Sequence, residues 1–272
     1  MPELPEVEVI ARGLNETLVG RTIQSVEVPG LTRLSDAAEI IVPGVLEQAI
    51  RRAYRRAKVL LIELENDATL VFHLKMTGRV VHGDHRDIHK HDRIIFILDD
   101  ESWLIFSDMR KFGYVKLFTG QQLENWDFLK KVGPEPLEVS PVELADQVAG
   151  KKTSIKGLLL NQSVVAGVGN IYADESLFRA GIHPETKGHR IGRDSAVKLF
   201  SELQTVLKLA IRENGSSISD YVNAHGDAGA FQNSFNVYGK KGQKCARCES
   251  LLQAVKVAGR TSTFCPHCQP KR

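Results

Sequence analysis

The sequence predicts an α+β protein. Its N-terminal half is expected to form an antiparallel β-sandwich with flanking helices, and its C-terminal half helices followed by short strands. β-Branched, aromatic or alternating apolar residues recur over 59–65, 69–74, 93–98, 103–107 and 114–118. Apolar residues at helical spacing fill a later segment, and all four cysteines lie among the last 28 residues. Strand patterns followed by helical patterns are typical of the α+β class.

The N-terminal segment predicts a helix that begins within the first few residues and runs to about Leu18. Pro2 and Pro5 suit its first turn, where a missing N–H costs little, and Gly20 can end it. Between two of the predicted strands, residues 99–102 (Asp-Asp-Glu-Ser) indicate a hairpin turn.

The second half predicts a long helix with Asp194 as its N-cap and Gly215 as its C-cap. Its apolar face consists of Val197, Phe200, Leu203, Leu207, Ala210 and Ile211. The helix-breaking stretch 132–136, Val-Gly-Pro-Glu-Pro, separates this half from the strands. We therefore expect a β-sandwich domain over 1–131, a linker over 132–140, a helical region over 141–234 and a cysteine-bearing region over 235–272.

Charge is distributed unevenly along the chain. Residues 1–150 contain 18 Lys and Arg against 24 Asp and Glu, whereas residues 151–272 contain 18 against 9. A basic half suits a polyanionic partner, although a solvated basic surface explains the charge equally well. No apolar run approaches the roughly 18 residues that span a bilayer, and the acidic N-terminus lacks a signal region, so we expect a cytoplasmic protein with no membrane partner.

The cysteines predict a metal site. Cys245 and Cys248 form one Cys-x-x-Cys pair, Cys265 and Cys268 form another, and 16 residues separate the pairs. This spacing is typical of a zinc ribbon, and four protein ligands leave no open position, so we expect one structural Zn²⁺. Between the pairs, Arg260 on a β-hairpin could contact a phosphate or remain solvated.

The N-terminus predicts amine chemistry. Removal of Met1 before the small Pro2 would leave a secondary amine that can attack a sugar carbon and form an iminium. Glu3 could then move protons, and Glu6 could anchor the segment or bind substrate. The alternative is that these acids only stabilise the start of a helix.

Seven motifs, in order along nearly the whole chain, resemble those of the formamidopyrimidine-DNA glycosylase family. They are Pro-Glu-Leu-Pro-Glu-Val-Glu at 2–8, Arg-Arg-Ala-Lys at 55–58, His-Leu-Lys-Met-Thr-Gly at 73–78, Lys-His-Asp at 90–92, Asp-Met-Arg-Lys-Phe-Gly at 108–113, Gly-Pro-Glu-Pro at 133–136 and Gly-Val-Gly-Asn-Ile-Tyr-Ala at 167–173. The cysteine ribbon completes the resemblance.

The resemblance implies a β-sandwich, a helix–two-turn–helix unit and a zinc finger, with double-stranded DNA in the cleft between domains. It implies a monomeric base-excision repair enzyme that acts on nucleoid DNA. This enzyme would be a DNA glycosylase for oxidised purines (8-oxoguanine and formamidopyrimidines) and also a lyase at abasic sites. Pro2 would attack C1′ of the extruded nucleotide, Glu3 would shuttle the proton for ring opening, and β- and δ-elimination would follow.

The resemblance also implies roles for residues elsewhere in the chain. Lys58 would act beside the lesion phosphate, and Met76, Arg110 and Phe112 would fill the gap left by the flipped base. The remaining implied DNA-binding residues are Glu6, His73, His91, Lys156, Asn170 and Arg260. Residues 216–232 would form the loop that caps the extruded base.

Some positions depart from the family pattern. Lys75, Met109, Lys111 and Gly157 stand where other members often have different residues, and Thr-Ser-Thr at 261–263 replaces the common Gly-Thr-His. These departures concern the contacts of the capping loop and the tip of the zinc finger, and none removes an implied catalytic group.

Two alternatives remain at this point. The endonuclease VIII branch performs the same chemistry on oxidised pyrimidines but typically begins Pro-Glu-Gly-Pro-Glu, so Leu4 and the segment 110–112 favour the purine branch. A non-catalytic zinc-ribbon DNA-binding protein would not need Pro2, Glu3 and Lys58 together.

Overall fold

The computed structural model describes residues 1–84, 89–218 and 220–271. The chain forms two compact units, and each is discontinuous in sequence. Unit 1 comprises Met1–Lys130 and Glu213–Gln232, and unit 2 comprises Lys131–Arg212 and Asn233–Arg272. A segment from late in the chain therefore completes the N-terminal unit.

Unit 1 contains two four-stranded sheets in which every pair of neighbouring strands is antiparallel. The first sheet has the order β1-β6-β7-β5 and the second has the order β2-β3-β4-β8. The strands are β1 (Ile23–Glu27), β2 (Ile50–Arg56), β3 (Val59–Leu64), β4 (Thr69–His73), β5 (Gly78–Gly83), β6 (Asp92–Leu98), β7 (Trp103–Asp108) and β8 (Tyr114–Phe118).

One hydrophobic core lies between these sheets. Phe72 of β4 makes edge contacts with Phe96 of β6 and Phe106 of β7, at ring-centroid distances of 6.3 and 5.7 Å. Helix α1 (Leu4–Leu18) buries one side in the same core, where Ile10, Leu14 and Leu18 are almost fully buried. Packing of the two sheets through shared side chains confirms the predicted antiparallel β-sandwich.

The outer face of the second sheet is covered as well. Val59, Leu61 and Val71 are buried there beneath an aromatic cluster that includes Phe118 and Trp126. The short helices α2 (Ala38–Val45), α3 (Gly120–Glu124) and α4 (Asp127–Lys131) flank the strands in sequence. Strand β3 is thus buried on both faces, which explains its almost continuous run of apolar residues.

Unit 2 combines helices with a two-stranded hairpin. Its helices are α5 (Pro141–Val148), α6 (Ile155–Leu160), α7 (Asn170–Ala180) and α8 (Arg193–Arg212). The hairpin pairs β9 (Gln253–Val257) with β10 (Arg260–Phe264), with Arg260 opposite Val257. A short 3₁₀ turn covers Gly188–Arg190, and another, Phe231–Ser234, begins in unit 1 and ends in unit 2.

The five predicted strands are confirmed to within a residue at either end, and the hairpin turn closes with a Leu98 N–H to Ser102 carbonyl bond of 2.9 Å. The prediction that Asp194 is an N-cap is wrong, because α8 already begins at Arg193 and Asp194 lies in its first turn. There its carboxylate can still interact favourably with the helix dipole. Gly215 adopts φ +78° but lies beyond the end of α8 at Arg212.

Across the described ranges, no helix has both the length and the apolar character that a bilayer crossing requires.

Candidate active site and metal centre

The predicted nucleophile lies at the start of α1. Pro2 is buried and directly precedes Glu3, whose backbone N–H donates to Oε2 of Glu6 at 2.8 Å. Glu3 and Glu6 are only 3% and 1% exposed. The positive end of a helix dipole disfavours a protonated amine at this position. The role of Pro2 as a nucleophilic amine stays a prediction.

Glu6 also holds a distant segment of the chain. Its Oε1 accepts from the Ser216 N–H at 2.9 Å, and the Tyr221 hydroxyl lies 3.4 Å from its carbonyl oxygen. Burial and the Glu6 charge raise the pKa of Tyr221, so its hydroxyl stays protonated. Within the described ranges, Ser216 Oγ is buried and has no hydrogen-bond partner. The predicted capping loop, 216–232, thus starts against the N-terminal segment; position 219 lies outside the described residues.

Lys58 and His73 lie at one end of the second sheet. Lys58 follows Ala57, whose φ of +51° forms the tight β2–β3 turn, and Val59 pairs directly with His73. An Arg55 Nε to Glu8 Oε2 ion pair of 2.6 Å joins this end of the sheet to α1. Two predicted site residues from separate motifs are therefore neighbours, close to the segment that carries Pro2.

His73 is neutral over the physiological range. Burial, together with the nearby charges of Lys75 and Lys58, lowers the pKa of His73 to about 3. Its Nδ1 accepts from the Lys75 N–H at 3.1 Å. That bond fixes the tautomer with a proton on Nε2, which can donate to a phosphate oxygen without adding charge.

Asp108 organises the loop that carries two of the three predicted gap-filling residues. Its Oδ1 accepts from Thr77 Oγ1 at 2.6 Å and from the Arg110 N–H at 3.2 Å, and its Oδ2 accepts from the Gly113 N–H at 2.7 Å. A Cβ at Gly113 would lie 2.9 Å from the His73 carbonyl oxygen, so the loop needs a glycine there. These bonds clamp residues 109–113 beside the β4–β5 turn.

The predicted trio is consequently brought together and exposed. Met76, on the β4–β5 turn, is 37% exposed, and Phe112 is 49% exposed. The Arg110 guanidinium lies 4.9 Å from the centre of the Phe112 ring. His91 joins the same cluster through its carbonyl oxygen, which accepts from the Asp108 N–H at 2.9 Å. An apolar wedge beside an arginine suits insertion into a base stack.

In unit 2, the Thr261 carbonyl oxygen links the other predicted contacts. It accepts from Lys156 Nζ at 3.1 Å and from Asn170 Nδ2 at 3.2 Å. Arg260 precedes it and is exposed, whereas the Lys156 side chain is fully buried against Asp174. The phosphate contacts expected of these residues stay predictions, and the burial of Lys156 leads us to a different role for it below.

The four cysteines fit a single metal ion. Their Sγ atoms all lie within 4.8 Å of one another. Individual separations are 4.0 Å for Cys245–Cys268, 3.4 Å for Cys248–Cys265 and 3.5 Å for Cys248–Cys268. Tetrahedral Zn²⁺ with bonds near 2.3 Å requires sulfur separations of about 3.8 Å. The residues therefore match one structural Zn²⁺ held by four thiolates, and β9–β10 lies between the ligand pairs.

Some important residues were missed at the sequence level. Asp108 lies inside a motif, but its role depends on contacts with the distant Thr77 and Gly113. Asp174 and Glu175 are adjacent acids in a buried stretch of α7, and a buried carboxylate requires partners. In the structure, Glu175 accepts backbone N–H groups from Asn236, Val237 and Tyr238, while Asp174 accepts from Lys156 Nζ.

Three known domain families match the chain. Residues 1–115 match the "Formamidopyrimidine-DNA glycosylase N-terminal domain" and residues 132–222 the "Formamidopyrimidine-DNA glycosylase H2TH domain". Residues 242–271 match the "Zinc finger found in FPG and IleRS". The matches follow the order of the predicted domains.

Similar proteins bear the same description. A formamidopyrimidine-DNA glycosylase of Geobacillus kaustophilus is 40% identical over 99% of this chain and 100% of its own length. One from Nitratidesulfovibrio vulgaris is 53% identical over 201 residues, which are 74% of this chain and 55% of that protein. A crystal structure of a variant Lactococcus lactis enzyme with Fapy-dG-containing DNA is 37% identical, has a TM-score of 0.92, and aligns over 99% of this chain and 100% of its own.

Proposed function

The chain belongs to the formamidopyrimidine-DNA glycosylase family, and we infer that it excises oxidised purines from DNA and then cleaves the strand at the resulting abasic site. The observation that carries this function is Pro2 at the start of α1, with Glu3 beside it and with Lys58 and His73 at the neighbouring end of the second sheet. The enzyme is a DNA glycosylase with abasic-site lyase activity and one structural zinc site.

The reaction uses the proline nitrogen as nucleophile. Loss of Met1 frees this nitrogen, which forms a bond to C1′ of the damaged nucleotide while the bond from C1′ to the base breaks. Glu3 donates the proton that lets the sugar oxygen leave C1′, so that the C1′–nitrogen bond becomes an iminium.

The iminium then accepts electrons from the adjacent carbon. Loss of a C2′ proton expels the 3′ phosphate, and a second elimination expels the 5′ phosphate. No water attacks phosphorus in either step. Lys58 is proposed to hold the phosphate beside the lesion as a point charge, with neutral His73 donating a hydrogen bond nearby.

Base extrusion is proposed to depend on Met76, Arg110 and Phe112. Their exposure and their arrangement around Asp108 support insertion into the gap in the duplex, where apolar contact offsets the loss of stacking. The guanidinium of Arg110 can bond the unpaired base on the opposite strand. The capping loop, held to Glu6 through Ser216, is proposed to cover the extruded base.

The remaining proposed contacts position the duplex. Glu6 and His91 are proposed to act on the DNA through the segments that they order, and Asn170 and Arg260 through phosphate contacts. The partner is double-stranded DNA with oxidised purines or abasic sites, bound by a monomer. We place the enzyme in the cytoplasm, at nucleoid DNA, and keep 1–131, 132–140, 141–234 and 235–272 as proposed functional regions.

Borohydride trapping tests the mechanism. The processed chain should form a covalent adduct with a duplex containing 8-oxoguanine when borohydride reduces the iminium. One alanine inserted before Pro2 should abolish trapping, whereas Pro2→Gly should keep part of it, because it retains a terminal amine. Full excision by the extended chain, after mass spectrometry has verified its N-terminus, would refute the role of Pro2.

A parallel assay separates the purine and pyrimidine branches. Excision should be faster on duplexes with 8-oxoguanine or formamidopyrimidine than on a matched duplex with thymine glycol. The reverse order would favour the endonuclease VIII activity, and a chain that binds every duplex but is never trapped would be a non-catalytic DNA-binding protein.

A further inference from the structure

A buried polar cluster joins three elements of unit 2. Lys156 of α6 donates from Nζ to Asp174 Oδ1 of α7 at 2.7 Å, and the two side chains are 0% and 1% exposed. Ser262 Oγ donates to the same Oδ1 at 2.6 Å, and the Thr263 N–H donates to Oδ2 at 3.0 Å. One carboxylate therefore binds both α6 and β10.

Lys156 completes the anchoring of β10. Besides Asp174, its Nζ donates to the Thr261 carbonyl oxygen, so three consecutive residues of the strand, 261–263, are held from α6 and α7. The anchored residues directly follow the exposed Arg260 at the start of β10. The direction in which Arg260 extends is set by this anchor.

The same carbonyl group orients Asn170. A carbonyl oxygen has two lone pairs and can accept from Lys156 Nζ and Asn170 Nδ2 together. Asn170 is the first residue of α7, immediately after Gly169. A shift of Thr261 would therefore disturb the Asn170 amide and Arg260 at once.

Stability alone does not explain why an ion pair is buried this deeply. Well-packed apolar residues of similar volume often stabilise a fold as well as a buried ion pair does, whereas charged groups impose directional geometry. A direct phosphate contact does not explain the ion pair either, because the fully buried Lys156 Nζ is already bonded to Asp174 and Thr261 and would have to leave the cluster to reach DNA.

We propose that Lys156 and Asp174 are positioning residues, which fix the Thr261 carbonyl and β10 so that Arg260 and Asn170 face the DNA backbone. This inference rests on the proposed function. It assigns Lys156 an indirect role in DNA binding, and it gives Asp174, a negative charge in a DNA-binding unit, a role that favours binding.

The sign of the Asp174 effect separates positioning from simple electrostatics. Asp174→Asn removes a negative charge, which would strengthen binding to a polyanion if only net charge mattered. Positioning predicts the opposite: binding to a duplex with a stable abasic-site analogue should weaken by about tenfold. The slope of the logarithm of the binding constant against the logarithm of the salt concentration should decrease in magnitude by about one, as for the loss of a phosphate contact. Asp146→Asn is the matched control, because Asp146 is 61% exposed and lies outside the cluster.

Lys156→Met should reproduce the loss. In the Lys156→Met/Arg260→Ala double variant, the combined loss of affinity should be smaller than the product of the two single losses, because both changes remove the Arg260 contact. Lys156→Arg should recover part of the affinity. Zinc content and circular dichroism establish that each variant is folded. If a variant is not folded, Ser262→Ala, which leaves the ion pair intact, is measured in its place. Ser262→Ala should weaken binding by less than the roughly tenfold expected for Asp174→Asn.

The inference is overturned if Asp174→Asn, or Ser262→Ala in its place, binds as tightly as the unmodified chain. It is also overturned if the losses from Lys156→Met and Arg260→Ala multiply, which would make Lys156 an independent phosphate contact. Borohydride trapping of the unmodified chain on lesion DNA reports separately on the proposed function. Failure of that trapping counts against the enzyme activity, and the affinity comparison alone decides the positioning role.

Discussion

The Glu6 carboxylate binds both the N-terminal segment and the capping loop. One oxygen accepts from the Glu3 N–H and the other from the Ser216 N–H, and the side chain is 1% exposed. Because both donors are backbone groups, any side chain at position 6 must present two acceptors to them. This requirement constrains the residue more tightly than a helix N-terminus alone would.

Glu6→Gln should therefore be costly although it preserves shape. One acceptor oxygen becomes an NH₂ group that faces an N–H donor, and a buried unsatisfied group costs about 1–3 kcal/mol. We expect the free energy of unfolding, measured with urea, to fall by that amount. We also expect excision of 8-oxoguanine to slow more than cleavage of a preformed abasic site, which has no base to cap. Glu16→Gln, on the exposed face of the same helix, is the control. Equal stability of the two variants would contradict this interpretation.

Individual site residues could be named from sequence only where a motif carried them. Pro2, Glu3 and Lys58 were identified in this way, but Asp108 and Asp174 were not, since their importance lies in contacts 31 and 88 residues away along the chain. The converse holds for Lys156: the family resemblance implied a phosphate contact, and no sequence feature revealed that its ammonium group is buried beside Asp174.

At the scale of elements, the loop after β7 shows how a short segment acquires a fixed shape. Residues 109–113 form neither helix nor strand, yet Asp108 receives hydrogen bonds from Thr77, Arg110 and Gly113. The Arg93 guanidinium donates twice to the Asp108 carbonyl oxygen, at 3.0 and 2.7 Å. The loop is thereby ordered before any DNA binds, which lowers the entropic cost of inserting its side chains.

Asp108→Asn should loosen this loop. The amide cannot accept at both positions, so one of the loop N–H groups loses its partner, at a cost of roughly 1 kcal/mol or more. We expect affinity for an abasic duplex to fall by about fivefold, the equivalent of that energy. Fluorescence of 2-aminopurine placed beside the lesion should report less complete unstacking. Asp99→Asn, a change at an exposed turn, should leave both readings unaltered; if the two variants behave alike, Asp108 does not order the loop.

Elements were predictable where burial follows a simple period. Strands β3, β4, β6, β7 and β8 carry clear apolar patterns. Strand β2 went unrecognised because its sequence, Ile-Arg-Arg-Ala-Tyr-Arg-Arg, buries only Ile50 and Ala53 and is held in place by pairing with β3. Helix α2 contains Pro43, which hid it from any periodicity analysis.

At the scale of the molecule, zinc stabilises one unit specifically. The four cysteines flank β9–β10, and Arg247, between two of them, donates to the Phe178 carbonyl oxygen at the end of α7 at 3.0 Å. The metal site thus supports the hairpin and its attachment to a neighbouring helix. All of these contacts lie within unit 2.

Removal of zinc should therefore damage unit 2 selectively. After chelation, we expect hydrogen exchange to accelerate in 235–271 while strands β3 and β4 stay protected, because the metal supplies folding free energy only to the region that it binds. DNA affinity and its salt dependence should both fall, and added Zn²⁺ should restore them. A chain verified to be zinc-free that binds DNA normally would show that the finger does not contribute to binding.

The boundaries of the two units were only partly predictable from the sequence, because one segment belongs to its unit through contacts with distant residues. The Gly-Pro-Glu-Pro break at 133–136 lies close to the first crossing between units, at Lys130 and Lys131. Nothing in the composition of 213–232 indicated that this segment returns to unit 1. Its assignment there depends on contacts such as Ser216 with Glu6, which are more than 200 residues apart in sequence.

This discontinuity has a consequence during synthesis. The ribosome makes the first turn of α1 at the outset, but the segment that contacts Glu6 emerges only after nearly four fifths of the chain has been translated. Until then the nascent N-terminal unit lacks part of its core, including Tyr221 and Ala224. The methionine removal that the proposed function requires would act on that early, incompletely folded product. Pro2, which is buried in the finished protein, would then be accessible to the processing enzyme at that stage.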